Sequence, residues 1–346
     1  MNLHNRRKFL KLSTTTAISM AFTFPGRSFS PVMEDTWINT VTGKVKVRKL
    51  GKCLIHEHIL VDFIGADKTS YQRWDRDAVV KQVLPYLIEL KKSGFQTLFD
   101  CTPAYLGRDP WLLKEISEKS GIYIITNTGY YGAVNNKYIP QHAFSETAEE
   151  LADRWIDEYN NGIENSEVRP GFIKISVNPA SLSGFHQKLV TAAGLVHLAT
   201  GMAIASHTGP YIPARDQLNV LEKMGVSPDA FIWVHAQNEK DPEYYKKVGN
   251  AGGWISIEGI REGNFEEYIS KIIYLKENGL LKRTLISHDA GWYDPDKPDS
   301  TDFAPFTVIP QKMIPALKEK GFTNKEIDQL FVKNPIEAFS PKLKKE

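Results

Sequence analysis

The chain has 346 residues, 42% of them hydrophobic, 24% charged and 11% aromatic, which is long enough for one large α/β domain or two medium ones. The formal net charge is +2, and the first thirty residues carry Arg6, Arg7, Lys8, Lys11 and Arg27 with no acid, leaving 2 − 5 = −3 for the rest. A mildly acidic body removes the electrostatic case for a nucleic-acid partner.

Residues 1–30 read as an export signal. The basic run Arg6-Arg7-Lys8-Phe9-Leu10-Lys11 precedes a fairly apolar stretch from Leu12 to Phe24, which Pro25-Gly26 breaks. That stretch is too short to span a membrane as a helix. Paired arginines ahead of it resemble a twin-arginine signal, implying the twin-arginine export machinery as a partner and a periplasmic destination. A disordered basic tail or an uncleaved anchor is the alternative. No Ala-x-Ala marks a cleavage point, which is expected between Ser28 and Val32.

From residue 31 to 346 a single domain is expected. Apolar β-rich runs at Cys53–Leu60, Thr97–Cys101, Ile122–Thr126, Gly171–Val177, Ala203–Ser206, Phe231–Val234, Trp254–Ile257 and Thr284–Ser287 alternate with helical patterns. Helical patterns include Asp77–Lys92, Glu146–Asn160, Phe185–Thr200, Ala214–Lys223 and Asp241–Asn250, with Gly94, Gly121, Gly201 and Gly253 between a helical run and the next strand. Continuously apolar strands indicate a parallel sheet covered on both faces. Eight such units in one series predict a closed (β/α)8 TIM barrel rather than an open doubly wound sheet, and no Gly-x-Gly-x-x-Gly follows the first strand. Cys53 and Cys101 sit in strand-like runs and read as small buried thiols. The stretch from Ala290 to Pro310 is too long for a routine connection and is a candidate to line a site.

The chemistry-bearing residues cluster at strand ends. His56 and His58 are separated by one residue at the end of the first strand, so both rings share a face. Alone, this spacing is weak. However, His207 ends the fifth run, His235 the sixth and Asp289 the eighth, where barrel active sites are built. Lys174 lies mid-strand between apolar neighbours. A buried, unpaired ammonium costs several kcal/mol. The lysine therefore either reaches a carboxylate at the rim or is held neutral and carbamylated by CO2. His288 is expected to face outward, and His197, on an apolar helix face, to be structural.

His-x-His on strand one, Lys on four, His on five and six and Asp on eight resemble the binuclear amidohydrolases. The phosphotriesterase and phosphotriesterase-like lactonase family is the most similar group. The segments Leu54–His58, Gly107-Arg108-Asp109, Thr128–Tyr131, Phe172–Ile175 and His207-Thr208 support this from Lys49 to the C-terminus. The resemblance implies a binuclear metal site at the C-terminal rim, holding two divalent ions, expected to be Zn2+. One ion would sit on His56, His58 and Asp289 and the other on His207 and His235, with carbamylated Lys174 and a hydroxide between them. It also implies a homodimer, Tyr131 beside the more exposed metal, Asp289 as proton relay, and Arg108 as structural. Gly259 stands where the family often carries a substrate-contacting side chain. Arg261, Trp292 and Tyr293 are candidate substrate-pocket residues.

The expected activity is metal-dependent hydrolysis of lactones or related carboxylic esters, with phosphotriesterase side activity. The rivals are an amidohydrolase acting on a cyclic amide or dipeptide, and an exported metal-binding protein without turnover. No Gly-x-Ser-x-Gly elbow is present to suggest a serine nucleophile.

Overall fold

The computed structural model describes residues 35–298, 300 and 302–342, so the proposed export signal lies outside the described residues. A hairpin that periodicity does not signal comes first, β1 (Trp37–Thr40) with β2 (Gly43–Lys46). It closes the lower end of the barrel: the Val41 amide donates to the Ile124 carbonyl at 2.9 Å, and Asn39 Nδ2 donates to the Pro170 carbonyl at 3.0 Å.

Every predicted strand is present. They are β3 (Lys52–Leu60), β4 (Phe95–Asp100), β5 (Tyr123–Ile125) continued by β6 (Asn127–Thr128), β7 (Phe172–Ser176), β8 (Ile204–His207), β9 (Phe231–Val234), β10 (Trp254–Ile257) and β11 (Thr284–Ile286). The last position continues as β12 (Gly291–Tyr293). Two parallel ladders, β12-β3-β4-β5 and β11-β10-β9-β8-β7-β6, form the ring of eight strand positions of a (β/α)8 barrel. The ring closes where Gly291 pairs with His58, supported by bonds from Asp289 N to His56 O (2.9 Å) and from His58 N to Ala290 O (2.8 Å). Gly291 has φ +97°, and a Cβ there would fall 1.8 Å from the His58 carbonyl, so this seam admits only glycine.

The outer ring comprises α1 (Arg76–Lys92), α2 (Pro110–Ser120), α3 (His142–Ser145), α4 (Ala148–Asn161), α5 (Gly184–Thr200), α6 (Tyr211–Lys223), α7 (Glu243–Ala251) and α8 (Phe265–Glu277). Local chemistry sets their ends. Asp75 caps α1, Thr147 and Glu150 form a capping box on α4, and Gly121 and Gly201 end α2 and α5 in left-handed geometry. Gly252 rather than Gly253 takes that position after α7. The helix expected over Glu146–Asn160 begins only after Thr147, because Glu146 is extended. α2 opens on Asp109-Pro110, a cap followed by proline at the first helical position.

Side-chain parity divides the core. Leu54, Leu98, Ile124, Ile173, Ile204, Trp233, Ile255 and Ile286 point out to the helices. Cys53, Ile55, Phe99, Ile125, Phe172, Ala203, Ala205, Ile232, Val234, Trp254 and Leu285 fill the lower barrel interior. Both cysteines are free and buried, and burial pushes the Cys53 thiol up to about 12.

Candidate metal centre

Continuing the alternation upward from Phe172, Ala205 and Leu285 points Lys174, His207 and Asp289 into the barrel mouth. The other ligand candidates break parity to reach it. Ile55 belongs to the interior layer, so strict alternation would turn His56 outward. A register shift between Leu54 and Glu57 inserts the extra residue that turns His56 and His58 inward. Val234 is likewise interior, and His235 follows it directly. His235 has φ +61°, a left-handed conformation that swings its ring back toward the cavity. Asp289 is also left-handed, at φ +56°. Two non-glycine residues held in this region at one rim mark a site where geometry is kept at a local energetic cost.

The six predicted residues converge. His58 Nε2 lies 3.1 Å from Asp289 Oδ1, His56 Nε2 lies 3.7 Å from it, and His235 Nε2 lies 3.9 Å from Asp289 Oδ2. Each of His56, His58 and Asp289 offers one ligand atom, all within 4.8 Å of one another. The His207 and His235 rings meet edge to face with centroids 4.4 Å apart. Lys174, 1% exposed, places Nζ 3.5 Å from His56 Nε2. Burial holds His56 and His207 well below the usual imidazole range and His235 down to about 4, so the rings are neutral donors. Burial alone would raise Asp289, but His56 and His58 hold its carboxyl well below the ordinary value. Neutral imidazoles around an ionised carboxylate are the donor set of a divalent transition metal.

The walls are apolar. His56, His58, Lys174, His207, His235 and Asp289 floor a cavity bounded by Val61, Phe63, Leu106, Tyr131, Val134, Tyr138 and Trp292. Tyr131 Oη sits 3.1 Å from His207 Nδ1, and burial raises its phenol, so it stays protonated.

A profile of the phosphotriesterase family matches residues 36–339. The chain belongs to the phosphotriesterase family. The "Phosphotriesterase homology protein" of Escherichia coli is 26% identical over 296 residues, covering 84% of this chain and 98% of that one. The "Aryldialkylphosphatase" of Saccharolobus solfataricus is 24% identical over 307 residues, covering 86% and 97%. The "Phospho-furanose lactonase" of Mycoplasmopsis synoviae is 25% identical over 339 residues, covering 90% and 94%. This phosphotriesterase-family chain is therefore a metal-dependent hydrolase of ester-type bonds.

Three pocket candidates from the sequence fare differently. Trp292 lines the cavity, 40% exposed, edge-on to His58. Tyr293 is buried in the layer between barrel and helices. Arg261 donates to the carbonyls of Ile260 (3.0 Å), His288 and Asp289 (2.5 Å) and is not among the cavity-lining residues. The His288 carbonyl also accepts from the Gly259 amide at 3.0 Å, so the guanidinium adds a donor there and satisfies the Asp289 carbonyl beside it. At Gly259, with φ +91°, a Cβ would meet Tyr268 Oη at 2.8 Å, so a side chain there would point at Tyr268.

Among the remaining residues, His288 turns away from the cavity but not to solvent. It is fully buried, with Nδ1 2.9 Å from Glu57 Oε1 and Nε2 accepting from the Ile309 amide at 2.9 Å. Glu57, expelled from the cavity by the β3 bulge, also accepts from Ser287, His288 N and Ala290 N and so ties β3 to the Asp289 turn. Arg108 is structural, bidentate to Glu158 at 2.8 and 2.6 Å. His197 is structural too, its Nδ1 2.8 Å from the Met202 carbonyl. Of the stretch Ala290–Pro310, Trp292 lines the cavity and Gly291 pairs with Ala304.

Sequence reasoning missed Glu258. It is fully buried, reached by the parity of Trp254 and Ser256, and lies 3.6 Å from His56 Nδ1 and 3.5 Å from His235 Nδ1. A carboxylate closing a barrel strand beside His-rich ends was the signal available.

Proposed function

We propose that this protein hydrolyses carboxylic esters, lactones foremost, with phosphotriesters as side substrates. The single observation carrying the reading is the Tyr131 phenol beside His207 at the edge of an apolar cavity floored by the six candidate ligands. His56, His58 and Asp289 would hold one divalent ion and His207 and His235 a second, with Zn2+ the proposed metal and Lys174, carbamylated, shared between them. Such ions supply Lewis acidity and make water a nucleophile near neutral pH. The side chains do the rest. Asp289, ionised and 3.1 Å from His58, accepts the proton of the attacking water and passes it on. Protonated Tyr131 donates to the substrate oxygen on which charge develops. Val61, Phe63, Leu106, Val134 and Trp292 seat the substrate and displace water from it. In a lactone the C–O bond that breaks leaves its alkoxide tethered to the acyl carbon, so it takes a proton in place and one ring-opened product occupies the cavity. The names of relatives support both ester classes. The test is kcat/KM on a panel of lactones, aryl esters and neutral phosphotriesters. Lactones should lead it, and a triester above every lactone refutes the preference.

Export through the twin-arginine route to the periplasm, on Arg6-Arg7, and a homodimer complete the proposal. Replacing both arginines with lysine should leave the precursor in the cytoplasm. A periplasmic product from a strain lacking that pathway contradicts the route, and a monomer by light scattering contradicts the dimer.

A further inference from the structure

Metal-ligating histidines need their second ring nitrogen held, because that contact selects the tautomer and aims the ligating nitrogen. In this barrel His58 Nδ1 is 2.8 Å from Thr102 Oγ1, whose own proton goes to the Leu60 carbonyl at 3.0 Å. The hydroxyl is therefore the acceptor, and His58 carries its proton on Nδ1. His207 has Tyr131 Oη near both ring nitrogens, 3.1 Å from Nδ1 and 3.2 Å from Nε2. His56 differs: its Nδ1 is buried and has no hydrogen-bond partner among the described residues. The nearest anionic group to it is Glu258, with Oε1 at 3.6 Å. The other oxygen of the same carboxylate, Oε2, is 3.5 Å from His235 Nδ1.

Glu258 is itself aimed. Ser256 Oγ donates to Oε1, the His235 amide donates to Oε2 at 2.7 Å, and the Glu258 amide donates to Gln237 Oε1 at 3.1 Å. The first two contacts fix the plane of the carboxylate so that one oxygen faces each ring, while Gln237 Nε2, 3.4 Å from His235 Nδ1, is the competing contact that an Nδ1–H on that ring would turn away. A fully buried carboxylate facing two imidazoles at ion-pair distance gains most when both rings present an N–H to it. His56 belongs to the group that includes His58 and Asp289, whereas His235 packs on His207.

We propose that Glu258 is a positioning residue shared by the two halves of the metal centre, holding Nδ1–H of both His56 and His235 so that each presents Nε2 to the cavity. One side chain thereby orients a ligand in each half, and its loss should loosen both together. The proposal rests on the reading of these histidines as metal ligands.

The test uses the full chain loaded with Zn2+ alone. Metal content of the parent checks the underlying reading, and a parent that binds no zinc refutes that reading rather than the role of Glu258. With zinc bound, long-range 1H–15N spectra of histidine-labelled parent should show His56 and His235 protonated on Nδ1. Zinc on either Nδ1 overturns the proposal. This arm needs no variant. In Glu258→Gln, a carboxamide offers one acceptor oxygen and sets an NH2 group against the second ring. Competition with a chromophoric chelator should show about a 10–100-fold loss of zinc affinity. Glu258→Asp keeps two acceptor oxygens and should recover part of it. A carboxylate that merely braces the turn at His235 would alter the melting temperature of the metal-free protein and leave zinc affinity within twofold of the parent. That outcome refutes the role.

Discussion

Below the cavity floor the barrel interior holds Cys53, Ile55, Phe99, Phe172, Ala205, Val234, Trp254 and Leu285. Above it the same strands present His56, His58, Lys174, His207, His235, Glu258 and Asp289. The lower layer keeps alternation apart from one register shift where Lys52 and Cys53 pair with Phe95 and Thr97. The upper layer needs a bulge in β3 and left-handed residues at 235 and 289. Hydrophobic burial is non-directional, so the lower half is satisfied by any close-packed arrangement of the right volume. Converging polar atoms must meet at set distances, and regular strand geometry does not supply them. The backbone bends to deliver them, while Glu57 and Arg261 satisfy the polar groups displaced by the bending.

Substitutions in the two halves should separate stability from metal chemistry. The largest effect is expected from Lys174→Ala, which removes the proposed bridging group and should lose most of the bound metal together with turnover. Two tightly held ions per chain in that variant, measured by metal analysis, would end the bridging role. Next comes Asp289→Asn, which keeps an oxygen for a metal but not the base. Its kcat should fall by roughly 10²–10⁴-fold with metal content near normal, and an unchanged kcat would take Asp289 out of the proton path. Phe172→Ala probes the lower layer. It should cost about 3–5 kcal/mol of unfolding free energy while the folded fraction keeps its full metal complement. Reduced metal per folded chain would show that the halves are not separable. The smallest effect belongs to Trp292→Ala at the half-exposed mouth. Losing about 1 kcal/mol of apolar contact should raise KM for a hydrophobic ester several-fold and leave kcat unchanged, so a drop in kcat with KM constant would place Trp292 in the chemistry.

Much of the centre was legible before the fold. His56, His58, Lys174, His207, His235 and Asp289 each end or interrupt an apolar run, and a parallel barrel gathers strand ends at one rim whatever the loops do. Glu258 was not singled out, since a lone acid after Ser256-Ile257 looks like any strand terminus until its parity is counted from Trp254. Arg261 looked like a substrate-pocket residue because its charge is visible in sequence. The carbonyls of His288 and Asp289 that take up its donors are brought beside it only by the tertiary fold.

The amino-acid sequence by itself determined the eight-fold alternation, most helix ends and the identity of the ligand-type residues, because periodicity, caps and residue chemistry are local properties. Tertiary structure alone decided which way those residues face. A one-residue bulge between Leu54 and Glu57 inverts the parity of everything after it, and that bulge is set by pairing with β4 and the β12 seam, both distant in the chain. It also decided that a single buried carboxylate lies between His56 and His235. That arrangement requires β3, β9 and β10 to be brought to one rim, which barrel closure does and no stretch of sequence can.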